Sequence, residues 1–313
     1  MAEVFVPVRT QRLRNPPQRA RQVIKLTLLL SGLLMSGCAP RTLLMKSVAD
    51  ELAAQGQAEE EDLGLARDAA AFYLKLSESV LRQTPGHPAL AEAVASGFAQ
   101  YAYAFVAFDA ERLEATDVRA ALRQRQRAAR LYERAHRHAM AALELQQPGL
   151  ARALAAPASA SAATLRLAPQ QVGLAYWGAA SWGAFIALSK DRPEVVADLP
   201  LAMRLAQLAF DAAPDHGQGS LALLMAQFEL ARPGGTPAAA ERYLARADSA
   251  SGTPAPATLV ARAESLALPA SDREAYERLL RQAITAAAPH RDLASQVLRE
   301  RAQWLLDTID DRF

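Results

Sequence analysis

A seven-residue stretch decides the fold, because the chain repeats it. The stretch is Glu241-Arg242-Tyr243-Leu244-Ala245-Arg246-Ala247, and it is matched 36 residues later by Glu277-Arg278-Leu279-Leu280-Arg281-Gln282-Ala283. A spacing of this size is close to the 34-residue helical hairpin of tetratricopeptide arrays. Both copies carry small residues where neighbouring helices must approach. The repeat therefore predicts stacked helical hairpins.

The rest of the chain from Leu63 onward shows the same alternation of helix and break. Four predicted helices end in similar prolines, which are Pro85, Pro148, Pro214 and Pro289. These prolines are 63, 66 and 75 residues apart, close to two periods of a helical hairpin. Proline cannot continue a helix, and Thr236-Pro237 and Ser271-Asp272-Arg273-Glu274 are helix-start signals. The sequence predicts an all-α fold of tetratricopeptide-like helical-hairpin repeats, arranged as a compact superhelical bundle.

The composition agrees with a helical globular protein. Hydrophobic residues make up 51% of the chain, charged residues make up 22%, and the formal net charge is +2. Alanine and leucine dominate and β-branched residues are few, which favours helix over strand. This balance excludes a disordered chain and argues against a nucleic-acid-binding one, so we expect no nucleic-acid partner.

The N-terminal region has the features of an export signal. Residues 1–25 are basic, with one acidic residue, and residues 26–35 form an apolar run that is too short to span a membrane. The run leads to Ser36-Gly37-Cys38, which resembles the lipobox of bacterial lipoproteins, although Met35 stands where leucine is usual. The resemblance implies cleavage before Cys38 and lipidation of its thiol. The alternative is a short buried helix with an incidental cysteine.

This interpretation divides the chain into three parts. Residues 1–37 are the predicted lipoprotein signal peptide, residues 38–62 a lipidated tether, and residues 63–313 an all-helical tetratricopeptide-like domain. Cys38 is the single cysteine, so no internal disulfide is expected. Ala39 follows it, and the absence of aspartate there predicts sorting to the outer membrane. The predicted location is the periplasm, with the membrane reached through the lipid anchor.

One predicted helix carries a stripe of arginines. Its members are spaced by four, four, three, four and three residues and are Arg119, Arg123, Arg127, Arg130, Arg134 and Arg137. At 3.6 residues per turn they share one helix face. Two interpretations remain open: a solvated or ion-paired face, or a binding surface for an acidic partner.

A second set of residues consists of candidates for a ligand cavity. Phe98, Tyr101, Phe105 and Phe108 form an aromatic stripe, which is typical of a core face. The segment from Val172 to Leu188 has no charge, and we expect it to be central rather than membrane-spanning. Trp177 and Trp182 lie five residues apart, so one of them could face the core and the other a cavity. The candidate cavity residues are Phe98, Tyr101, Phe105, Tyr176, Trp177 and Trp182.

Motifs for catalysis and metal binding are not found in the sequence. There is no nucleophile elbow, phosphate loop, dinucleotide fingerprint or zinc-ligand pattern. His136 and His138 are two positions apart and cannot chelate from one helix face. The sequence therefore predicts a non-enzymatic protein without a metal or a cofactor.

Several longer stretches resemble the TatT family of TRAP-transporter accessory lipoproteins. They are Ser96 to Val106, Leu131 to Ala135, Tyr176 to Ala184, Leu188 to Glu194 with Ala197 to Pro200, and Arg301 to Leu306 with Asp310 to Phe313. The resemblance implies a periplasmic, lipid-anchored helical protein that associates with the substrate-binding subunit of a TRAP-type uptake system.

Three functions follow as hypotheses. In the first, the chain docks the TRAP substrate-binding subunit and passes it an apolar or amphipathic ligand. The alternative is a general tetratricopeptide-like envelope scaffold that binds no ligand, and a third is a small-molecule carrier that acts alone. A homo-oligomer is compatible with each, because helical arrays associate through exposed faces.

Overall fold

The computed structural model describes residues 39–54, 62–156 and 165–313. Within these ranges the secondary structure is helical and contains no strand, which confirms the predicted all-α class. The predicted signal peptide and Cys38 lie outside the described residues.

The described part of the chain forms α-helices interrupted by short loops. The first seven are α1 (Ala39–Ala54), α2 (Leu63–Gln83), α3 (Pro88–Tyr101), α4 (Phe108–Leu113), α5 (Val118–Gln146), α6 (Leu150–Ala155) and α7 (Val172–Ala187). The next seven are α8 (Pro193–Val196), α9 (Leu199–Ala212), α10 (Ser220–Ala231), α11 (Pro237–Ser251), α12 (Pro256–Arg262), α13 (Arg273–Ala287) and α14 (Leu293–Asp307). Two π-helical turns, Ala102–Ala107 and Ala263–Ala267, continue α3 and α12.

Local sequence explains where these helices begin. Thr236 caps α11 by accepting a hydrogen bond from the Ala239 amide at 3.2 Å, and Asp272 caps α13 by accepting one from Ala275 at 2.9 Å. Such caps satisfy amides that have no partner within the helix. Both caps fall at the helix-start signals of the sequence.

Neighbouring helices pack against one another in chain order, and α7 is the most embedded of them. It contacts α3, α5, α9 and α10. Gly178 permits the close approach of α5, because a Cβ there would lie 3.2 Å from the Ala139 Cβ. The uncharged segment from Val172 to Leu188 therefore lies centrally, as the sequence predicted. Among the described helices none is both long and apolar enough to cross a bilayer. The tetratricopeptide-like register of the helical pairs stays a prediction.

The last helix returns to the first hairpin. Helix α14 contacts α2, and two ion pairs join it to the end of the α3–α4 helix. Arg112 Nη2 lies 2.6 Å from Glu300 Oε1, and Arg301 Nη2 lies 2.8 Å from Glu111 Oε2. The array thus closes on itself through residues almost 190 positions apart in the chain.

The segment predicted as a tether is partly helical. Residues 38–62 include α1, and the larger of the chain's two compact units begins at Val48, within that helix. In this unit Ala49 and Leu52 are buried, and the Asp50 carboxylate lies 2.9 Å from Nε2 of His87. His87 in turn caps α3 through its other ring nitrogen, which accepts from the Leu90 amide. The folded region therefore begins before Leu63.

Candidate ligand cavity and its polar wall

A cavity of about 320 Å³ lies between six helices of the closed array. Side chains of α3, α5, α7, α10, α12 and α14 line it, together with both π-helical turns. A volume of this size is at the lower end of the range for small-molecule sites. The geometry therefore suits a small ligand.

Most of the cavity wall is apolar and aromatic. Tyr132, Tyr176 and Trp177 supply rings, and Ala180 and Ala184 leave space on the same side of α7. Tyr176 and Trp177 pack edge to face, with their ring centroids 4.8 Å apart. Burial raises the pKa of Tyr176, although a hydrogen bond with Ser220 opposes the shift. This part of the wall is suited to contact the apolar part of a ligand.

One part of the wall is charged, and both π-helical turns contribute to it. Tyr103 comes from the first turn and Glu264 from the second, and both line the cavity. Behind them lies Arg301, whose Nη2 and Nε are 2.7 and 3.0 Å from the two oxygens of Glu264. Arg301 also bonds to Glu111, and only 7% of it is exposed. We call Tyr103, Glu111, Glu264 and Arg301 the polar wall.

Tyr103 borders the cavity, and 38% of the residue is accessible to solvent. Burial raises the pKa of Tyr103 to about 12, while Arg301 opposes the shift. At neutral pH the phenol is therefore protonated and can donate a hydrogen bond.

The structure separates the six candidate cavity residues into two groups. Tyr176 and Trp177 lie on the cavity wall, whereas Trp182 packs against His136 with ring centroids 4.3 Å apart. Phe98, Tyr101 and Phe105 are buried and do not line this cavity. Guanidinium groups cover these three rings instead. The site therefore differs from the sequence expectation at these four positions.

The aromatic stripe and the arginine stripe form one interface. Arg134 lies over the Phe98 ring at 4.8 Å and Arg127 over the Tyr101 ring at 5.8 Å. Arg67 of α2 covers Phe105 at 5.3 Å in the same way. The guanidinium groups cover the ring faces and shield them from solvent, while part of each guanidinium group stays in contact with water.

Solvent exposure divides the arginine stripe into two groups. Arg134 is half-buried and paired with Glu78. The other five members are exposed, and they are Arg119, Arg123, Arg127, Arg130 and Arg137. An ion-paired face therefore describes Arg134, whereas for the five exposed arginines a solvated face and a partner-binding surface both stay open. No cluster of three potential metal ligands occurs among the described residues.

Comparison with known proteins identifies the family. The family described as TAtT, TRAP transporter T-component, matches residues 59–313. The chain belongs to this family. It is also similar to a protein of Treponema pallidum (strain Nichols) described as uncharacterized, with 27% identity over 310 residues that cover 90% of this chain and 95% of the relative. Membership implies that this T-component is an accessory part of a TRAP transport system.

A buried ionic site of the T-component lies under the arginine stripe. The Glu78 side chain is 5% exposed and accepts hydrogen bonds from Arg134, Lys75 and His138. Burial alone would raise its pKa, but these three donors outweigh burial and lower the pKa to about 2. Because the folded state holds Glu78 ionised, this carboxylate stabilises the protein at neutral pH.

We expect Glu78→Gln to lower the free energy of unfolding at pH 7 by about 3 kcal/mol. The folded pKa lies below the ordinary value of 4.5, so the contribution is fully present above that value and is lost as pH falls toward 2. The difference between wild type and variant in urea unfolding should therefore shrink between pH 5 and pH 2. Glu277→Gln, in the exposed pair with Arg281, is the control and should cost less than about 1 kcal/mol. A constant difference across this range would contradict the assignment.

Proposed function

We propose that this T-component is a lipid-anchored periplasmic protein that holds a TRAP substrate-binding subunit at the membrane. Its cavity binds an apolar or amphipathic ligand and exchanges it with that subunit. The mechanism consists of docking and ligand transfer, without a covalent step. The lipid on Cys38 provides the anchor, and the outer membrane is the proposed location.

The single observation that carries the proposal is the aromatic cavity with one polar wall in a chain of this family. A protein that only arranges other proteins does not need an internal space of about 320 Å³. A ligand-binding role accounts for it, whereas the scaffold alternative does not.

The exposed arginines provide the proposed docking surface. Arg123 and Arg130 lie on the outward face of α5 and form no ion pair with any described residue. Arginine binds carboxylates through two parallel hydrogen bonds, so this face suits an acidic surface on the binding subunit. Rim charges of this kind mainly accelerate association.

Membrane fractionation tests anchoring and docking together. Membranes from cells with the wild-type chain should retain the substrate-binding subunit, whereas Cys38→Ser should leave both proteins in the soluble fraction. The double variant Arg123→Ala/Arg130→Ala should remain in the membrane but retain the subunit at least tenfold less tightly.

The matched control is Arg242→Ala/Arg278→Ala, which removes two exposed arginines from α11 and α13. It should retain the subunit as the wild type does. The docking proposal fails if the wild-type membranes capture no substrate-binding subunit at low or physiological salt. The anchoring proposal fails if the Cys38→Ser protein stays in the membrane.

A further inference from the structure

The polar wall of the cavity carries an excess of negative charge. Arg301 supplies one positive charge, whereas Glu264 and Glu111 supply one negative charge each, so the three groups together carry a net charge of −1. Burial raises the pKa of Tyr103 to about 12, so its phenol adds no charge at neutral pH. The electrostatic preference of the cavity is therefore for a cation.

Glu264 presents this charge to the cavity. Its side chain is 27% exposed and lines the space, while each of its oxygens accepts one hydrogen bond from Arg301. A carboxylate has about four acceptor positions, so two remain for a ligand donor. The group that a ligand meets at this wall is therefore a hydrogen-bond acceptor with negative charge.

The cation of Arg301 is not available to a ligand. Its Nε and Nη2 are bonded to Glu264 and Glu111, and its Nη1 is buried without a partner and closed to solvent. A carboxylate entering the cavity would meet Glu264 before it could reach the guanidinium group. The wall thus disfavours anions, although it contains an arginine.

Aromatic rings extend the preference for a cation along the wall. Tyr103, Tyr132, Tyr176 and Trp177 all line the cavity, and the faces of such rings attract ammonium groups. Much of the remaining lining is aliphatic and includes Leu223, Leu224, Val260 and Leu298. The site therefore offers a carboxylate for a charged head group and apolar surface for a chain.

We infer that the cavity binds a small cationic amphiphile, with its ammonium head group at Glu264 and its apolar chain on the aliphatic lining. The inference rests on the proposed function, in which this cavity is the ligand site. The available volume has room for about ten non-hydrogen atoms. The ligand class is a short-chain alkylamine or an amine of similar size and shape.

Calorimetric titration of the full mature chain with three probes of equal chain length tests the inference. n-Octylammonium should bind at least tenfold more tightly than 1-octanol, and octanoate should bind more weakly than either. Glu264→Gln removes the net negative charge, and we expect it to lose at least tenfold of the affinity for n-octylammonium while leaving the affinity for 1-octanol nearly unchanged.

The matched control is Glu241→Gln, because Arg262 also sits between two acids, Glu241 and Asp248, but away from the cavity. Circular dichroism establishes that both variants are folded, and Glu241→Gln should bind n-octylammonium as the wild type does. Equal or tighter binding of octanoate overturns the charge preference but leaves a ligand-binding cavity. If none of the three probes binds to the folded wild type, both this inference and the ligand-binding part of the proposed function fail.

Discussion

Replacement of Arg301 by alanine is expected to lower the free energy of unfolding by about 3 kcal/mol. Arg301 is 7% exposed and joins Glu264 of the second π-helical turn to Glu111 of α4. Its removal leaves two carboxylates without their cation and breaks one of the two ion pairs between α4 and α14. Because Glu111 and Glu264 retain partial contact with water, we expect the lower end of the range for a broken buried pair.

Thermal unfolding measures this effect, and a loss of about 3 kcal/mol corresponds to a decrease in Tm of roughly 6–12 °C for a chain of this size. Arg299→Ala is the control, because Arg299 lies on the same helix, is exposed and bonds only to Gln296 among the described residues. It should change the stability by less than about 0.5 kcal/mol. Equal Tm values for the two variants would show that the ionic link does not hold the ends of the array together.

The second large effect is expected at two adjacent alanines of α7. Ala180 lines the cavity, whereas Ala179 is fully buried with 0% of its surface exposed. Ala180→Phe should occupy the cavity and reduce n-octylammonium affinity at least tenfold, with a change in unfolding free energy below about 1 kcal/mol. Ala179→Phe should instead destabilise the protein by about 3 kcal/mol, because the packed core has no room for a ring.

Urea unfolding and titration on the two variants separate a cavity from ordinary packing. Loss of binding without loss of stability in Ala180→Phe is the signature of a filled ligand site. The assignment is contradicted if Ala180→Phe binds the probe as the wild type does, or if it is as unstable as Ala179→Phe.

The sequence predicted the helical class and many helix starts, because these depend on local chemistry. Thr236 was identifiable as a cap from its own neighbours, and the uncharged segment around Trp177 was identifiable as central. The capping box at Ser271 predicted the start of α13 to within one residue, because the cap is Asp272. Each of these features involves residues within one or two helical turns. Local patterns therefore carry enough information for them.

The sequence did not predict how the two stripes meet. The spacing of Phe98, Tyr101 and Phe105 shows that they share a helix face, but not that Arg134 and Arg127 cover that face. Periodicity reports which residues point in the same direction from one helix. It contains no information about the helix that lies opposite, so the sequence favoured a core face for the stripe but kept three of its residues as cavity candidates.

Local sequence patterns could not predict the polar wall either. Arg301 and Glu111 are 190 positions apart, and Tyr103 and Glu264 are oriented by π-helical turns that a 3.6-residue period does not reveal. Two weak signals were present, since Tyr103 and Arg301 lie within stretches that resemble the family. π-Helical turns are frequent at functional sites, and both of them border the cavity here.

The central claim is that a ligand in this cavity serves a TRAP transport system, and solute uptake by that system is its most direct test. Uptake of labelled solute should fall at least tenfold in cells that lack the chain and should be restored by the wild-type protein but not by Ala180→Phe. Immunoblotting of membranes must show that the variant is present at the wild-type level. Normal uptake in cells whose only copy is folded, membrane-attached Ala180→Phe would contradict the account.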